Sequence, residues 1–191
     1  MKLATLALAL GLASPAFAAT TLSVDFEKTW DFGTEVGTTY AAAGAVFTNV
    51  LGLSNDVDFT YFSNAPSPQG VAYVQLDGVV NTAAYLNVAS GLTDGLSFFY
   101  SGIDTATISA YSGLNGTGTL LGTITLSATG GDFSTWQHAV LNFAGTAQSF
   151  DLSGTNGVAA LDNISSVPEP STYALLLAAG GALAIARRRR G

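Results

Sequence analysis

The sequence contains no cysteine, so neither a disulfide bridge nor a thiolate nucleophile contributes to this protein. His138 is its only histidine, which excludes a metal site built from several histidines. It also lacks a Gly-x-Ser-x-Gly string, the mark of many hydrolase nucleophiles, and a glycine-rich phosphate loop ending in Lys-Ser/Thr. We therefore predict that the protein is not an enzyme.

Basic residues are scarce, with 6 Lys and Arg against 13 Asp and Glu. Five of the six lie at the ends of the chain, so Lys28 is the only basic residue between Thr20 and Ser166, where twelve residues are acidic. A surface this acidic repels a phosphate backbone instead of releasing counterions from it. The composition therefore predicts that the protein does not bind nucleic acid.

Residues 1–18 have the pattern of a secretory signal peptide. Lys2 gives a positive start, residues 3–12 are apolar, and Ala16-Phe17-Ala18 places small residues at the spacing that signal peptidase requires. We predict cleavage after Ala18, with Ala19 as the alternative. The chain is therefore expected to be exported, with signal peptidase as its first partner.

Residues 167–191 consist of three parts. The first is Val167-Pro168-Glu169-Pro170-Ser171, the second is an apolar run over 173–186, and the third is Arg187, Arg188, Arg189 and Arg190. Prolines hold the first part extended, because they cannot continue a helix interior or a strand. The run predicts a short transmembrane helix, at about 1.5 Å per residue against roughly 30 Å of hydrocarbon. The arginines act as a membrane stop that stays cytoplasmic.

A plain tail anchor explains the apolar run and the arginines but leaves Pro-Glu-Pro-Ser unexplained. In order, spacing and position, the three parts resemble the PEP-CTERM sorting signal of exopolysaccharide-producing Gram-negative bacteria. The resemblance implies an exosortase as partner, a membrane transpeptidase-like enzyme that cleaves near Pro-Glu-Pro. It also implies a precursor held transiently in the inner membrane and a mature protein at the cell surface or in the extracellular matrix.

Residues 19–166 are rich in Thr, Val, Phe, Tyr, Gly, Ser and Asn and poor in Lys, Glu, Arg and Gln, a composition that favours strands and turns. Short apolar or alternating runs recur between Gly, Asn, Asp and Pro. The runs are 22–26, 45–50, 57–62, 71–76, 84–88, 96–101, 107–111, 120–126, 136–143, 149–152 and 159–164. They predict one all-β domain, an antiparallel β-sandwich of jelly-roll type, with an up-and-down barrel as the alternative.

Two short strings at the ends of this domain carry acidic residues. Asp25-Phe26-Glu27 on the first strand and Leu161-Asp162-Asn163-Ile164 on the last resemble the terminal strands of carbohydrate-binding jelly rolls. The resemblance implies a structural calcium ion. Its ligands would be Asp25, Glu27, Asp162 and Asn163, since calcium takes several oxygens at roughly 2.3–2.6 Å. The alternative is that they are ordinary solvated carboxylates.

Aromatic residues offer candidates for ligand binding, because a ring face presents apolar area with a polar rim to a sugar. Trp30 and Tyr61 lie beside predicted loops and are the candidates for stacking. The leading hypothesis is a non-catalytic surface or matrix protein that binds, or is embedded in, extracellular polysaccharide. The alternatives are a structural or adhesive protein without glycan affinity and a small polysaccharide hydrolase that uses Asp56 and Asp58.

Overall fold

Short runs of β-branched and aromatic residues form eleven strands within residues 21–168, the part of the chain that the computed structural model describes. Two single-turn 3₁₀ helices, Ala41–Ala43 and Ser153–Thr155, interrupt the loops. The strands are β1 (Ser23–Val24), β2 (Val46–Thr48), β3 (Leu51–Leu53), β4 (Val71–Tyr73), β5 (Tyr85–Leu92), β6 (Gly95–Gly102), β7 (Ala106–Tyr111), β8 (Leu120–Leu126), β9 (Gln137–Asn142), β10 (Ala147–Asp151) and β11 (Ala159–Ser166).

The strands form two antiparallel sheets. The front sheet has the order β3-β4-β11-β6-β9, with β1 also pairing with β11, and the back sheet has the order β2-β5-β10-β7-β8. Between consecutive strands the chain stays within one sheet only at β3–β4 and β7–β8 and otherwise crosses to the other sheet. The all-β antiparallel prediction is confirmed, and two separate sheets replace the alternative of one closed barrel.

One hydrophobic core joins the two sheets. Phe98 and Leu161 from the front sheet and Phe47, Leu86 and Phe150 from the back sheet are all buried in it. Phe47, Leu86 and Phe98 alternate along their strands with exposed or half-buried residues, because successive side chains of a strand point to opposite faces. The outer-face residues beside Leu161 and Phe150 include buried ones as well, namely Ser149, Ala160 and Asp162. Each sheet therefore keeps an outer face on which a ligand can be bound.

Ten of the eleven predicted runs overlap an observed strand, whereas the run 57–62 is wrong. Asp56 and Asn55 explain the difference, because their side chains replace strand pairing with turns. Asp56 Oδ1 accepts the backbone N–H groups of Asp58 and Phe59, at 2.8 and 2.7 Å. Residues 54–70 consequently form a long loop between β3 and β4, within which Val57 is 99% exposed.

The two ends of the described chain lie side by side. Ser23 of β1 pairs with Ser165 of β11, and the backbone N–H of Ser166 donates to the carbonyl of Leu22 at 3.1 Å. The N–H of Val167 donates to the carbonyl of Gly95, also at 3.1 Å, so sheet hydrogen bonding continues up to the residue before Pro168. The sorting motif therefore follows the sandwich with no spacer.

Other predictions for the chain ends fall outside the described residues. They concern the signal peptide over 1–18, the sorting residues Glu169, Pro170 and Ser171, the apolar run over 173–186 and the four terminal arginines. Within residues 21–168, no helix is both long and apolar enough to cross a membrane.

Candidate functional site

An aromatic groove lies on the outer face of the front sheet, at its β3 edge. It encloses about 190 Å³. Its walls are the rings of Phe32, Tyr61, Tyr73 and Phe133 together with Gly33, Leu51, Gly52, Leu53 and Gln75. The name "aromatic groove" is used below for this set.

The rings of the groove are arranged in two groups. Tyr61 stacks with Phe32, with ring centroids 6.0 Å apart and planes inclined by 22°, and Phe59 packs on Tyr61 at 5.8 Å. On the other wall, Tyr73 and Phe133 meet edge to face at 5.8 Å. Phe32 is 73% exposed, so an apolar ring faces solvent at the mouth of the groove.

Asn55 explains how the 54–70 loop presents Tyr61. Its side-chain oxygen accepts the backbone N–H of Tyr61 at 2.8 Å, and its amide donates to the carbonyl of Phe62 at 2.8 Å. Phe62 is buried and packs with Val71 and Ala160 on the outer face of the sheet, which fixes the loop. The structure therefore brings Tyr61 to a concave aromatic site.

Trp30 has a different position from the predicted one. It is only 4% exposed, its indole N–H donates to the carbonyl of Phe26 at 3.1 Å, and its backbone N–H donates to Ser54 Oγ at 3.0 Å. A Cβ atom at Gly52 would overlap the indole of Trp30, so the ring occupies the space behind β3. Trp30 is thus a core residue that supports the groove from inside and offers no face to a ligand, which corrects the prediction.

The terminal strands and the 54–70 loop bring a second group of polar residues together. Ser67 is buried between the two strands: its hydroxyl lies 2.5 Å from the carbonyl oxygen of Asp25 and 2.6 Å from Asp162 Oδ1. Its backbone N–H donates to Asp162 Oδ2 at 2.8 Å. Glu27 accepts the N–H of Gln69 from the same loop at 2.7 Å. We call Asp25, Glu27, Ser67 and Asp162 the terminal-strand cluster.

Asp162 is the buried acid of this cluster, with 0% of its surface exposed. Burial raises its pKa above the ordinary value, hydrogen bonds from Ser67 and Asn163 oppose that shift, and the charge of Glu27 adds to it. Tyr40 beside it is affected similarly, because burial and then the charge of Asp25 raise the pKa of Tyr40 to about 12. The cluster is therefore rich in oxygen and negative potential.

Ser67 lies between two oxygen atoms of this cluster. Its hydroxyl carries one proton and lies within hydrogen-bond distance of two acceptors, the Asp25 carbonyl and Asp162 Oδ1. Either a proton on Asp162, whose pKa burial raises, or a cation bound to these oxygens would satisfy both contacts. Within residues 21–168 there is no group of three or more His, Cys, Asp or Glu arranged to hold a metal, so hydroxyl and carbonyl oxygens would have to complete the shell.

Asn163 occupies a special place in the backbone. Its φ is +47°, and the register between β11 and β6 shifts between Asp162 and Ser165. At this irregularity Asp162 Oδ1 accepts the N–H of Asn163 at 2.7 Å, in addition to the hydroxyl of Ser67. Sequence reasoning missed Ser67, which lies in the loop run Ser67-Pro68-Gln69-Gly70 and carries no local signal of its role.

The residues that a hydrolase would use do not converge in the described part of the chain. Asp56 caps the turn described above, with Asp58 as one of the residues whose N–H it accepts. His138 Nε2 lies 2.7 Å from Ser97 Oγ on the exposed face of β6 and β9, and its ring packs on Phe99 at 5.1 Å. Among residues 21–168, no hydrogen bond or ring contact of Ser97 or His138 joins this pair to an acid or to the aromatic groove.

Comparison with protein families identifies the end of the chain. Residues 166–190 match the family model described as the PEP-CTERM protein-sorting motif, which confirms the resemblance drawn from Val167-Pro168-Glu169-Pro170-Ser171 and the terminal arginines. The match covers this segment and overlaps the sandwich only at Ser166, the last residue of β11. No curated protein matches the sequence.

Comparison with solved structures finds similar sandwiches. The CsCBM6-3 module from Clostridium stercorarium, solved with cellobiose, is 16% identical with a TM-score of 0.45, and the match covers 81% of this chain and 100% of that one. The K1 cleaved adhesin domain of Lys-gingipain from Porphyromonas gingivalis W83 is 16% identical with a TM-score of 0.47, covering 79% and 99%.

A third similar structure is a larger enzyme. The glycoside hydrolase family 43 arabinoxylan arabinofuranohydrolase from Bacillus subtilis is 15% identical with a TM-score of 0.43, and the match covers 63% of this chain. This chain spans about a quarter of that enzyme, 24% of its length. At these identities and TM-scores, neither a ligand nor an activity transfers to this chain.

Proposed function

We propose that this protein is an exported, non-catalytic cell-surface or matrix protein, sorted by an exosortase-type enzyme, and that its aromatic groove binds extracellular polysaccharide. The PEP-CTERM motif over residues 166–190 supports the sorting, because the motif implies processing by such an enzyme. The groove is the single observation that supports the binding. The exposed Phe32 ring and the half-buried rings beside it form a concave apolar surface, which on an exported protein favours an extracellular ligand.

Sugars match the chemistry of the groove. A pyranose ring has apolar C–H faces and a polar rim, so it stacks on aromatic rings while its hydroxyl groups bond to groups at the edges. Phe32 and Tyr61 present such faces, and Gln75 with the phenol groups supplies hydrogen bonds. A few polar groups around an apolar site are typical of small-molecule sites.

The position of the groove suits a tethered protein. The sorting tail leaves the sandwich after Val167, at the end of β11, whereas Tyr73 of the groove pairs with Ala160 near the start of that strand. Six residues separate Ala160 from Ser166, or roughly 20 Å at about 3.3 Å per residue. The groove therefore lies toward the end of the sandwich that faces away from the tail.

Charge restricts the class of polysaccharide. Twelve acidic residues and one lysine lie between Thr20 and Ser166, and Lys28 itself rests on the Trp30 ring at 4.7 Å. Polymers of uronic acids or sulfated sugars would be repelled by this surface, particularly at low salt. We therefore propose a neutral polysaccharide as the ligand.

Tyr61→Ala is expected to weaken binding of a neutral polysaccharide about tenfold, since truncating a central aromatic contact costs more than about 1.4 kcal/mol. Affinity electrophoresis and calorimetry with laminarin, hydroxyethyl cellulose and arabinoxylan would measure it, with alginate as the acidic comparison. Phe99→Ala is the matched control, because Phe99 is a half-buried aromatic residue on the same sheet that does not line the groove. Equal binding by wild type and Tyr61→Ala would contradict the assignment of the groove.

An adhesive protein without glycan affinity is the second candidate, favoured by exposed apolar side chains beside the groove. Val57 is 99% exposed, and Phe59 and Phe32 are largely exposed as well. If the groove serves self-association, none of the polysaccharides will bind. Sedimentation would instead show a concentration-dependent dimer that Phe59→Ser removes.

The terminal-strand cluster is proposed as a structural calcium site, with Asp25, Glu27, Asp162 and the neighbouring Asn163 among its ligands and Ser67 added to them. The buried Asp162 carboxylate and the closely spaced oxygens around Ser67 support this proposal. A bound cation would remove the cost of burying a negative charge and would tie β1, the 54–70 loop and β11 together.

Calcium is therefore expected to raise the melting temperature. An ion at about 100 times its Kd stabilises a fold by about 2.7 kcal/mol, which for a domain of this size corresponds to roughly 5–10 °C. Scanning calorimetry in EDTA and in excess calcium would measure the shift, and Asp162→Asn should abolish it whereas Asp104→Asn in an exposed loop should not. An identical melting temperature of the wild type in EDTA and calcium would exclude the site.

The stability measured in EDTA should also depend on pH. Because burial raises the pKa of Asp162 in the folded state, its ionisation opposes folding. In EDTA the stability contributed by this group is therefore complete at pH values below its unfolded pKa of 3.8 and decreases as the pH rises toward the folded pKa. Bound calcium favours the carboxylate and should remove this decrease.

A further inference from the structure

Two tyrosines and an aspartate lie together on the outer face of the back sheet. Tyr85 of β5 is directly opposite Asp151 of β10, and Asp151 is opposite Ser109 of β7. One step along the same face, Tyr111 of β7 is opposite Ser149 of β10. We call Tyr85, Tyr111 and Asp151 the tyrosine–aspartate face; all three are half-buried, so each keeps part of its surface open to solvent.

The hairpin loop between β7 and β8 rises as a wall beside this face. Asn115 and Asn87 exchange two hydrogen bonds, from Asn115 N–H to Asn87 Oδ1 at 2.8 Å and from the Asn87 amide to Asn115 Oδ1 at 2.9 Å. The N–H of Gly116 donates to Ser149 Oγ at 2.9 Å, which buries Ser149 beneath the loop. The loop therefore covers one part of the outer face and leaves the next row of residues open.

Gly116 holds Tyr85 against this wall. Its φ is +68°, and a Cβ atom at this position would lie 2.8 Å from Cε1 of Tyr85. Only glycine combines this conformation with such close approach of a ring. Tyr85 is thus a positioned side chain, set between the loop on one side and Asp151 on the other.

The polar groups of the face are close enough to influence one another. Burial raises the pKa of Tyr85, and the charge of Asp151 and the phenol of Tyr111 add to the effect. Asp151 already accepts one backbone N–H, from Ser153 at 2.9 Å, and a carboxylate has capacity for further donors. Ser109 and Thr123 add a pair of hydroxyl groups 2.9 Å apart in the next strands.

We infer that the tyrosine–aspartate face is a second polysaccharide-binding site, and that one molecule of the protein bridges two polymer strands. The inference rests on the proposed function, because it takes the same class of ligand, a neutral polysaccharide. Ring surface from Tyr85 and Tyr111, the carboxyl acceptor of Asp151 and the nearby hydroxyl groups are the contacts that a sugar chain uses.

The charge of the tyrosine–aspartate face favours a neutral polysaccharide over charged polymers. The residues that form the face and its wall include one acid and no base, which repels phosphate and uronate groups. The face is also too polar for an apolar protein partner, since hydroxyl and amide groups alternate with the two rings. A neutral chain with many hydroxyl donors is the polymer that meets both conditions.

One straight polysaccharide chain cannot occupy both sites. The aromatic groove lies on the outer face of the front sheet and the tyrosine–aspartate face on the outer face of the back sheet. Packed sheets are about 10 Å apart, and the core between them is closed, so the sites point in opposite directions. Occupation of both sites by two polymer strands makes the protein a cross-linker.

The test compares binding with cross-linking in the mature domain. Wild type, Tyr85→Ala, Asp151→Asn and Tyr61→Ala would be mixed with laminarin, hydroxyethyl cellulose and arabinoxylan. Calorimetry would give the affinity and the number of sites, and light scattering would give the size of the complexes. Asp104→Asn is the matched control for loss of one acidic charge, and circular dichroism melting would establish that each variant folds.

We expect wild type to show two sites and to form large complexes at intermediate protein-to-polymer ratios. Tyr85→Ala and Asp151→Asn should each weaken the second site about tenfold, leave the site at Tyr61 unchanged and abolish the large complexes. Binding by the wild type with one site, unaffected by Tyr85→Ala, would overturn this inference while leaving the proposed function intact. No binding to any of the three polymers would overturn both.

Discussion

Replacing Pro168-Glu169-Pro170 with three alanines is expected to leave the protein uncleaved in the inner membrane. Sorting depends on recognition of this string by an exosortase-type enzyme, which the match over residues 166–190 implies. Alanine removes both the fixed backbone angles of proline and the only acidic side chain after Asp162. Fractionation and intact-mass measurement of the protein from cells and medium would show the change from processed product to full precursor.

Because no spacer separates the sandwich from the motif, we expect a larger loss of processing than in a chain with a long linker. Val167 is still hydrogen bonded to Gly95, so the processing enzyme must act directly beside the sandwich. Pro168 cannot donate a backbone hydrogen bond and therefore ends the pairing of β11. An alanine there allows the pairing of β11 to continue, which would make the segment less accessible to the processing enzyme.

A control separates the motif from general damage to the tail. Thr172→Ala changes a neighbouring residue but keeps the whole Val167-Pro168-Glu169-Pro170-Ser171 motif. This variant should be processed and released like the wild type. If the triple-alanine variant were also released with the same C-terminus, the sorting hypothesis would be wrong. An intact precursor in both the control and the triple-alanine variant would indicate a plain membrane anchor.

The strands could be predicted from the sequence because their signals are local. Alternating apolar residues and turn glycines mark them, as in Ile108 and Ala110 on β7, which are buried, and in Asn115-Gly116 of the following hairpin, which has positive φ angles as its composition indicates. The failure at 57–62 has an equally local cause. Apolar residues follow Asn55 and Asp56, whose side chains take the backbone N–H groups that a strand partner would have used.

The residues of the candidate sites were less predictable because their positions depend on contacts distant in sequence. Tyr61 and Trp30 look alike as aromatic residues beside loops, yet the glycines at 52 and 70 leave room in the core for one ring, and Trp30 fills it. Ser67 reaches Asp162 across 95 residues, a contact without any sequence pattern. The proximity of the Asp25-Phe26-Glu27 and Leu161-Asp162-Asn163-Ile164 strings was predictable, since the first and last strands of such a domain are neighbours.

The tyrosine–aspartate face follows from register, which composition does not reveal. Tyr85 and Asp151 are 66 positions apart and become neighbours only because β5 and β10 pair with one particular alignment. A shift of β10 by one residue against β5 would turn Asp151 toward the core and leave Tyr85 on the outer face. Binding surfaces on a regular sheet are therefore harder to find from sequence than turns or termini.

Trp30→Ala is expected to lower the free energy of unfolding by about 3–5 kcal/mol, the cost of removing a large buried ring and leaving a cavity. The loss includes the hydrogen bond from the indole to the carbonyl of Phe26 and the packing of Gly52 and Gly70 on the ring. Since a domain of this kind is stabilised by about 5–15 kcal/mol in total, much of the protein would unfold at moderate urea concentrations. Urea denaturation followed by circular dichroism measures the change.

Two further variants test whether Trp30 stabilises the core or binds the ligand. Trp136→Ala removes a half-buried indole that donates to the carbonyl of Ser63 on the outer face, and it should cost clearly less than Trp30→Ala. Trp30→Phe keeps most of the ring but loses the hydrogen bond to Phe26, and it should retain both an intermediate stability and full polysaccharide binding. A Trp30→Phe variant with wild-type stability and lost binding would show instead that the indole touches the ligand. Because Trp30 lies in the core behind β3, we expect instead that polysaccharide binding weakens only as far as the fold is destabilised.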